Sequence, residues 1–434
     1  MRVRSATNSR GSSLASLAAR ARSDGITVAG VLSGTSADGI DVALVRLGGQ
    51  APSREPLGPP QLLAFETRPF PTDIHARLRR VLDAPRGADG EVQLGLRTLA
   101  QLDLDLGRCF GLAAAELAAR ERLTLDLVGS HGQTIWHHDG EAAGPATLQI
   151  GNLAAVAQAA GASASGDFRQ ADVAAGGEGA PLSALVDPQL FGAVPRPAAI
   201  LNLGGIGNLT YLGAAAELLA FDTGPAGCLL DGLARRLVKR PFDRGGELAG
   251  SGRAHLPLIS ALLDHAFFHR PPPRSTGRDT FGAQYVEAFL ARAQSEKIVS
   301  PADLMATATA FVARTITLAI GEQLPTTPVQ LVVAGGGIHN NTLMEELRRG
   351  LQGAPASARA RARTCTTEVI SSAEYGVDPD AREALVFAYL AMACLLGVPL
   401  SAPAVSGAAA GHVLGMLAPG PAAPGPSPAA EPRP

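Results

Sequence analysis

An aspartate that closes a strand just ahead of a helix is placed to take a proton beside an anionic ligand. Phe221-Asp-Thr-Gly-Pro225 reads that way. Glu217–Phe221 leads into it, and Leu229, Leu230, Leu233, Leu237 and Val238 recur behind it on one helical face. In α/β folds, the carboxyl end of a strand beside a helix N-terminus is where anions bind. Asp222 is therefore the first candidate for a general base. An Asx-turn or N-cap role fits the same spacing.

Several strands end in glycine-rich turns. Ser33-Gly-Thr-Ser-Ala-Asp-Gly39 joins Ile26–Leu32 to Ile40–Leu47, and Gly204-Gly-Ile-Gly-Asn208 joins Ala198–Leu203 to Leu209–Leu212. Gly335-Gly-Gly337 joins Val329–Ala334 to a helical stretch at Asn340–Gly350. Successive N–H groups in such turns form anion-binding nests, and glycine lets a phosphate approach the backbone closely. Two matched hairpins and a strand–glycine–helix unit suggest a nucleotide held between two related halves. Asp38 and Asp41 flank the first turn and are hard oxygen ligands suited to magnesium, with Asp38 the first choice; ordinary turn chemistry explains them equally well.

Other polar residues read two ways. His131 and Gln133 follow a short strand at Leu125–Gly129, in a polar loop running to His137, and suit either a ligand contact or a satisfied loop. Trp136 could stack on a sugar ring or fill the core. Arg169, near Asp167 and Asp172, could grip a carboxylate or phosphate, or pair at the surface. Glu383 opens a helical stretch over 379–396, where a first-turn acid favours the helix dipole.

The elements that position these residues alternate between strand and helix, so the chain is α/β. Helical spacing marks 91–120 through Leu94, Leu99, Leu102, Leu106, Phe110 and Leu112, and a longer helix covers about 301–323. The 434 residues exceed one ordinary domain. The expected organisation is an N-terminal extension over 1–24, domains over 25–195 and 196–418, and a Pro/Ala-rich tail over 419–434. The first 23 residues carry five arginines and no acid before Asp24, a composition that fits either a transit peptide or an unstructured extension.

Composition excludes several classes. The formal charge of −2 gives no basic field for nucleic acid or an anionic membrane. No apolar run reads as a bilayer span, since Gly, Pro or charge interrupts each. The four scattered cysteines make neither a zinc site nor a disulfide framework, and fit a reducing, cytoplasmic setting. The two lysines, Lys239 and Lys297, do not follow glycine, so no P-loop is present.

Taken together, the ordered motifs resemble the anhydro-N-acetylmuramic acid kinase family. They are Gly30–Asp41, Gly129–His137, Leu148–Asn152, Gly166–Arg169 with Asp172–Leu182, Leu201–Thr210, Phe221–Pro225, Arg274–Arg278 and Gly335–Gly337. The resemblance implies two actin/hexokinase-like, ribonuclease H-like domains. Their mixed sheets would be flanked by helices and separated by a nucleotide cleft. It implies an ATP- and Mg2+-dependent enzyme that opens the 1,6-anhydro ring of an amino sugar and phosphorylates O6, commonly as a homodimer, in peptidoglycan recycling. By resemblance, Asp222 is the catalytic base, and Gly34, Thr35, Ser36, Ala37, Asp38, Gly39, Ile40 and Asp41 form the phosphate hairpin. Gly204 and Gly205 form the second phosphate turn, Gly335, Gly336 and Gly337 line the adenosine side, and Glu383 contacts the sugar, with His131, Gln133 and Arg169 as further substrate contacts. The chain departs from the family pattern at Ala37, at Gln170 and Ala171 after Arg169, and at Ala226-Gly227. These departures leave room for another amino or anhydro sugar, or for a weakly active homologue. A nucleotide-switched binding protein is the contrasting reading, disfavoured because no peptide-binding module follows the core.

Overall fold

The computed structural model describes residues 13–34, 37–49, 57–84, 92–138, 145–215, 217–352, 367–409 and 411–421. Their strands form two sheets. The first holds β1 (Ile26–Ser33), β2 (Ile40–Leu47), β3 (Gln61–Arg68), β4 (Leu127–His138), β5 (Ala146–Ile150), β6 (Ser163–Gly166) and, from the far end of the chain, β12 (Met416–Ala418). The second holds β7 (Ala198–Leu203), β8 (Ile206–Leu212), β9 (Leu218–Pro225), β10 (Gln330–Ala334) and β11 (Glu368–Ser371).

The strand orders are β3-β2-β1-β4-β6 and β9-β8-β7-β10-β11, with β12 added beyond β6 and β5 on β4. In each sheet an antiparallel three-strand meander is followed by two parallel strands. The expected duplication is thus a repeated five-strand mixed sheet, the ribonuclease H-like arrangement.

β1 is buried at all eight positions because both faces are covered. Its alternate residues divide between two cores. Val28 and Leu32 pack with helix Arg382–Leu396, while Ala29 and Val31 pack with Leu102, Leu106 and Phe110 of helix Leu96–Arg120. Leu112, in the same expected stripe, is 48 % exposed, because it falls on the solvent side of that helix. In the second sheet, Ala199, Leu201 and Leu209 face helices Gly227–Val238 and Pro301–Gln323, whereas Ala198, Ile200 and Leu212 turn toward the core built around helix Arg382–Leu396. One hydrophobic core therefore joins the two sheets.

Helix Arg382–Leu396 lies directly on the first sheet because two strand positions are glycine. A Cβ on Gly30 would sit 1.8 Å from the Ala384 carbonyl oxygen, and one on Gly129 2.1 Å from that of Phe387. Gly30→Ala is expected to lower stability by about 3 kcal/mol, the upper part of the usual overpacking range, because backbone and not a mobile side chain must move. Urea unfolding checks this, and a loss below about 1 kcal/mol would mean that the helix shifts freely.

The structure corrects four expectations. Residues 13–24 are not a loose extension: Leu14–Ser23 is a helix capped by the Ser13 hydroxyl, with Leu17, Ala18 and Ala21 buried and Arg20 paired to Asp126. Residues 382–396 and 416–418 pack on the first sheet rather than continuing the second half, because the helix buries nearly its whole surface between the sheets and β12 extends the β6 edge. Ser130–His137 is no polar loop, since β4 runs on to His138 and pairs with β5. Helix Pro301–Gln323 is long and apolar enough to cross a membrane, yet 78 % of its most apolar 18-residue stretch is buried, and it is the central helix on the second sheet. The expected tail from residue 422 onward lies outside the described residues, as do residues 1–12.

Candidate active site

β1, β4 and β6 run parallel, as do β7, β10 and β11, so the turns after them gather at one edge of each sheet. Asp222 enters from β9, opposite Asn208 of β8, and Asn208 in turn lies opposite Asn202 of β7. The Asn208 side-chain amide donates to Asp222 Oδ1 at 2.9 Å, and the Thr276 N–H donates to Oδ2 at 2.8 Å. The Asn202 amide donates to Glu383 Oε1 at 3.3 Å. One β-hairpin thus ties together two carboxylates 161 positions apart in the chain. The N-cap reading of Asp222 falls away, because Ala226 precedes helix Gly227–Val238 and no side chain caps it.

Arg169, just after β6, links the acids to His131. It faces Glu383, Asp222 and Asp172, whose charges oppose the burial that pulls its guanidinium down to about 10. Its Nε and Nη2 lie 3.1 and 3.0 Å from His131 Nε2, and its Nη1 donates to the Gly179 carbonyl at 2.7 Å. Burial, and then Arg169, hold the His131 ring well below the usual histidine range. His131 is therefore neutral, accepting at Nε2, with its proton on Nδ1, 3.2 Å from the Gly132 carbonyl. It braces Arg169 and does not itself supply a proton. Burial also pushes the Glu383 carboxyl up; Arg382 opposes this and Asp41 adds to it.

Gln133 is fully buried and donates to the Gly34 carbonyl at 3.3 Å, so it supports the first glycine turn from below. Thr35 and Ser36 lie outside the described residues. Ala37 is buried in the left-handed region at φ 54°, a position glycine would occupy without strain. Ile40 starts β2 and is buried; Gly39 and Asp41 flank it, with Asp41 Oδ1 accepting from Thr67 at 2.6 Å. Trp136 is half-buried opposite Leu148 in the β4–β5 pair.

The second turn behaves differently. The Gly227 N–H donates to the Gly204 carbonyl at 3.0 Å, and those of Ala226 and Cys228 donate to the Gly205 carbonyl at 3.0 and 2.9 Å. The first amides of helix Gly227–Val238 are thus spent on the turn, so it is not their N–H groups that face an anion. Ala226 sits at φ −133°, so alanine at this departure from the family pattern carries no left-handed strain; Gly224 carries the positive φ of 136°. Gly335 and Gly337 pack against the end of β7, where a Cβ would approach Leu203 to 2.9 and 2.6 Å, while Gly336 has open space.

Sequence reasoning assigned no role to Asn202, Asn208 and Thr276, although each lies in one of the matched motifs, and Asp231 went unremarked. The two asparagines bracket the Gly204–Gly207 turn at mirror positions, and that symmetry was the available signal. Asp231, one turn into helix Gly227–Val238, is pushed up to about 6 by burial, with Arg235 opposing and Asp38 adding. Asp38 and Asp231 therefore approach each other from the two halves. Among the described residues no three ligating side chains cluster. Hard carboxylate oxygens in ones and twos suit magnesium, which keeps several waters and takes the rest from phosphates, and they suit few other metals.

The Asp231 value fixes a pH effect. Its folded-state value lies above the 3.8 of an open chain, so the ionised carboxylate costs stability above about pH 6 and costs nothing below about pH 3.8. Without nucleotide or magnesium, Asp231→Asn is expected to raise the melting temperature at pH 8, with the gain fading between pH 6 and 4. An equal gain at both ends would show that burial of the charge is not its source.

Two mixed sheets of the same five-strand order, each flanked by helices, define an α/β protein of the ribonuclease H-like, actin/hexokinase-like class. The sequence profile for anhydro-N-acetylmuramic acid kinase matches residues 26–420, and the chain belongs to that family. It is 40 % identical over 392 residues to the anhydro-N-acetylmuramic acid kinase of Salinibacter ruber, covering 87 % of this chain and 92 % of that one. It is 40 % identical over 334 residues to the enzyme of the same name from Xanthomonas campestris pv. campestris, covering 76 % and 83 %. Among solved structures it is similar to a ROK family glucokinase from Streptomyces griseus in complex with glucose and AMPPNP, at 12 % identity and TM-score 0.35, covering 83 % of this chain and 97 % of that chain.

Proposed function

We propose that this protein uses ATP to convert 1,6-anhydro-N-acetylmuramic acid and water into N-acetylmuramic acid 6-phosphate and ADP. The observation that carries the reading is the Asp222 carboxylate. Both its oxygens are held by donors, Asn208 and Thr276, within charge reach of Arg169. Asp222 takes a proton from the attacking water as the water oxygen bonds to the anomeric carbon. The bond from that carbon to O6 breaks, and O6 takes the γ-phosphoryl group as its bond to ADP breaks. Arg169 and Glu383 fix the sugar's polar groups, and His131 keeps Arg169 aimed. The turn over 34–41, supported by Gln133, and Gly204, Gly205 and Gly336 surround the phosphates and nucleoside. Asp38 and Asp231 are the carboxylates that would hold magnesium, which would supply charge neutralisation of the phosphates. Action on a recycled wall sugar fits a cytoplasmic enzyme, and we extend the proposal to that location and to a homodimer.

A second reading has one observation behind it. Gln170, one of the departures from the pattern that the resemblance implies, spends its amide on the Thr147 carbonyl at 2.8 Å. A different amino or anhydro sugar fits that departure. Coupled ADP release with MgATP and a panel of sugars separates the two. ADP release on the anhydro sugar, with a product heavier by water and phosphate, is the expected result; turnover confined to another sugar would overturn the substrate assignment.

A further inference from the structure

The segment Arg274-Ser-Thr-Gly-Arg278 stood out in the sequence without a role. Arg274 is only 4 % exposed. Its Nε donates to the backbone carbonyl of Asp222 at 3.0 Å, and its own carbonyl accepts the Asp222 N–H at 3.0 Å. Its Nη1 reaches the carbonyls of Phe268 at 3.1 Å and Arg270 at 2.8 Å, around the end of the short helix Ala266–His269. The guanidinium also lies 5.3 Å from the Phe221 ring centre and 5.1 Å from that of Phe267. Two residues on, Thr276 delivers its N–H to the Asp222 carboxylate. A single short strap thus holds both backbone polar groups of residue 222 and one oxygen of its side chain.

We infer that Arg274 is a positioning residue for the general base. Its planar fork pins the peptide of Asp222 with one nitrogen and the helix-end carbonyls with another, and so fixes the course of the chain that brings the Thr276 N–H onto the carboxylate. A lysine ammonium is a single point and cannot hold both sets at once. The inference rests on Asp222 being the base.

The test is a double-mutant cycle of Arg274→Lys with Asp222→Asn, read as kcat and as KM for MgATP and the anhydro sugar. Arg274→Lys is expected to cut kcat by about 10- to 100-fold, the scale of a misplacement near 1 Å, with KM for MgATP within about twofold. In the Asp222→Asn background the same change should cost less than about twofold, because the group it positions is already disabled. Equal losses in both backgrounds, or an unchanged kcat, would overturn the inference. Should Arg274→Lys not fold, Thr276→Pro removes the delivered N–H and leaves the buried guanidinium alone; it should show the same non-additivity, and additive losses would count against the strap. If the wild-type enzyme ignores the anhydro sugar, the substrate assignment fails, and a crystal structure of either variant still decides. The Asp222 carboxylate must leave Thr276 or Asn208, and an unmoved carboxylate refutes its positioning by the strap.

Discussion

Asp222→Asn is expected to bind MgATP within about twofold of wild type and to lose at least about 100-fold in turnover, the usual scale for a lost general base. The substitution is nearly isosteric, so β9 and its pairing to β8 should persist. The amide cannot accept a proton, and its NH2 would point a donor at either the Asn208 amide or the Thr276 N–H, both of which already donate to residue 222. In the proposed site the nucleotide is held by the glycine turns, so its binding should survive, which isothermal titration with MgATP would read. Turnover within about tenfold of wild type would remove Asp222 from the role of base.

Asp187→Ala is expected to cost about 3–5 kcal/mol of stability, the range for breaking a buried ion pair from one side. Asp187 and Arg382 are 0 % and 1 % exposed, and Arg382 Nη2 lies 2.5 and 2.6 Å from the two carboxylate oxygens. Among the described residues the Nε and Nη1 of Arg382 have no other partner, so removing Asp187 leaves the whole guanidinium buried and unpaired. The pair joins helix Ser183–Leu190, which leads into β7, to the first turn of the helix that carries Glu383. Urea unfolding reads the loss. Replacing both partners, Asp187→Leu with Arg382→Met, should restore most of it, since a packed apolar pair often matches a buried ionic one. A double variant as unstable as Asp187→Ala would mean that the site needs the charges for some other reason.

Much of the fold was legible in the chain because its signals are local. Apolar runs marked β1 and β7, alternation marked β2, and helical patterns marked Leu96–Arg120 and Pro301–Gln323. The matched glycine hairpins announced a duplication that the two strand orders bear out. The misreadings were also local. His131 to His137 looks like a loop because its polar residues hide a strand that pairs with β5, and Leu14–Ser23 is masked by the serine- and arginine-rich composition of the first 23 residues taken as a whole.

The sequence by itself determined the repeated strand pattern, the glycine turns, the order of the motifs and the place of Asp222 in a strand leading to a helix. These follow from neighbours along the chain, through backbone freedom and side-chain periodicity. Tertiary structure alone decided what surrounds that aspartate. Thr276 is 54 positions from Asp222, Glu383 is 181 from the asparagine that holds it, and Arg382 is 195 from Asp187. Tertiary structure also decided that helix Arg382–Leu396 returns to the first sheet, where Gly30 and Gly129 let its backbone settle, and so put Glu383 beside Arg169. No local signal carries such information, because burial and charge at these atoms depend on which elements pack together, and that is settled only when the two sheets close on a shared core.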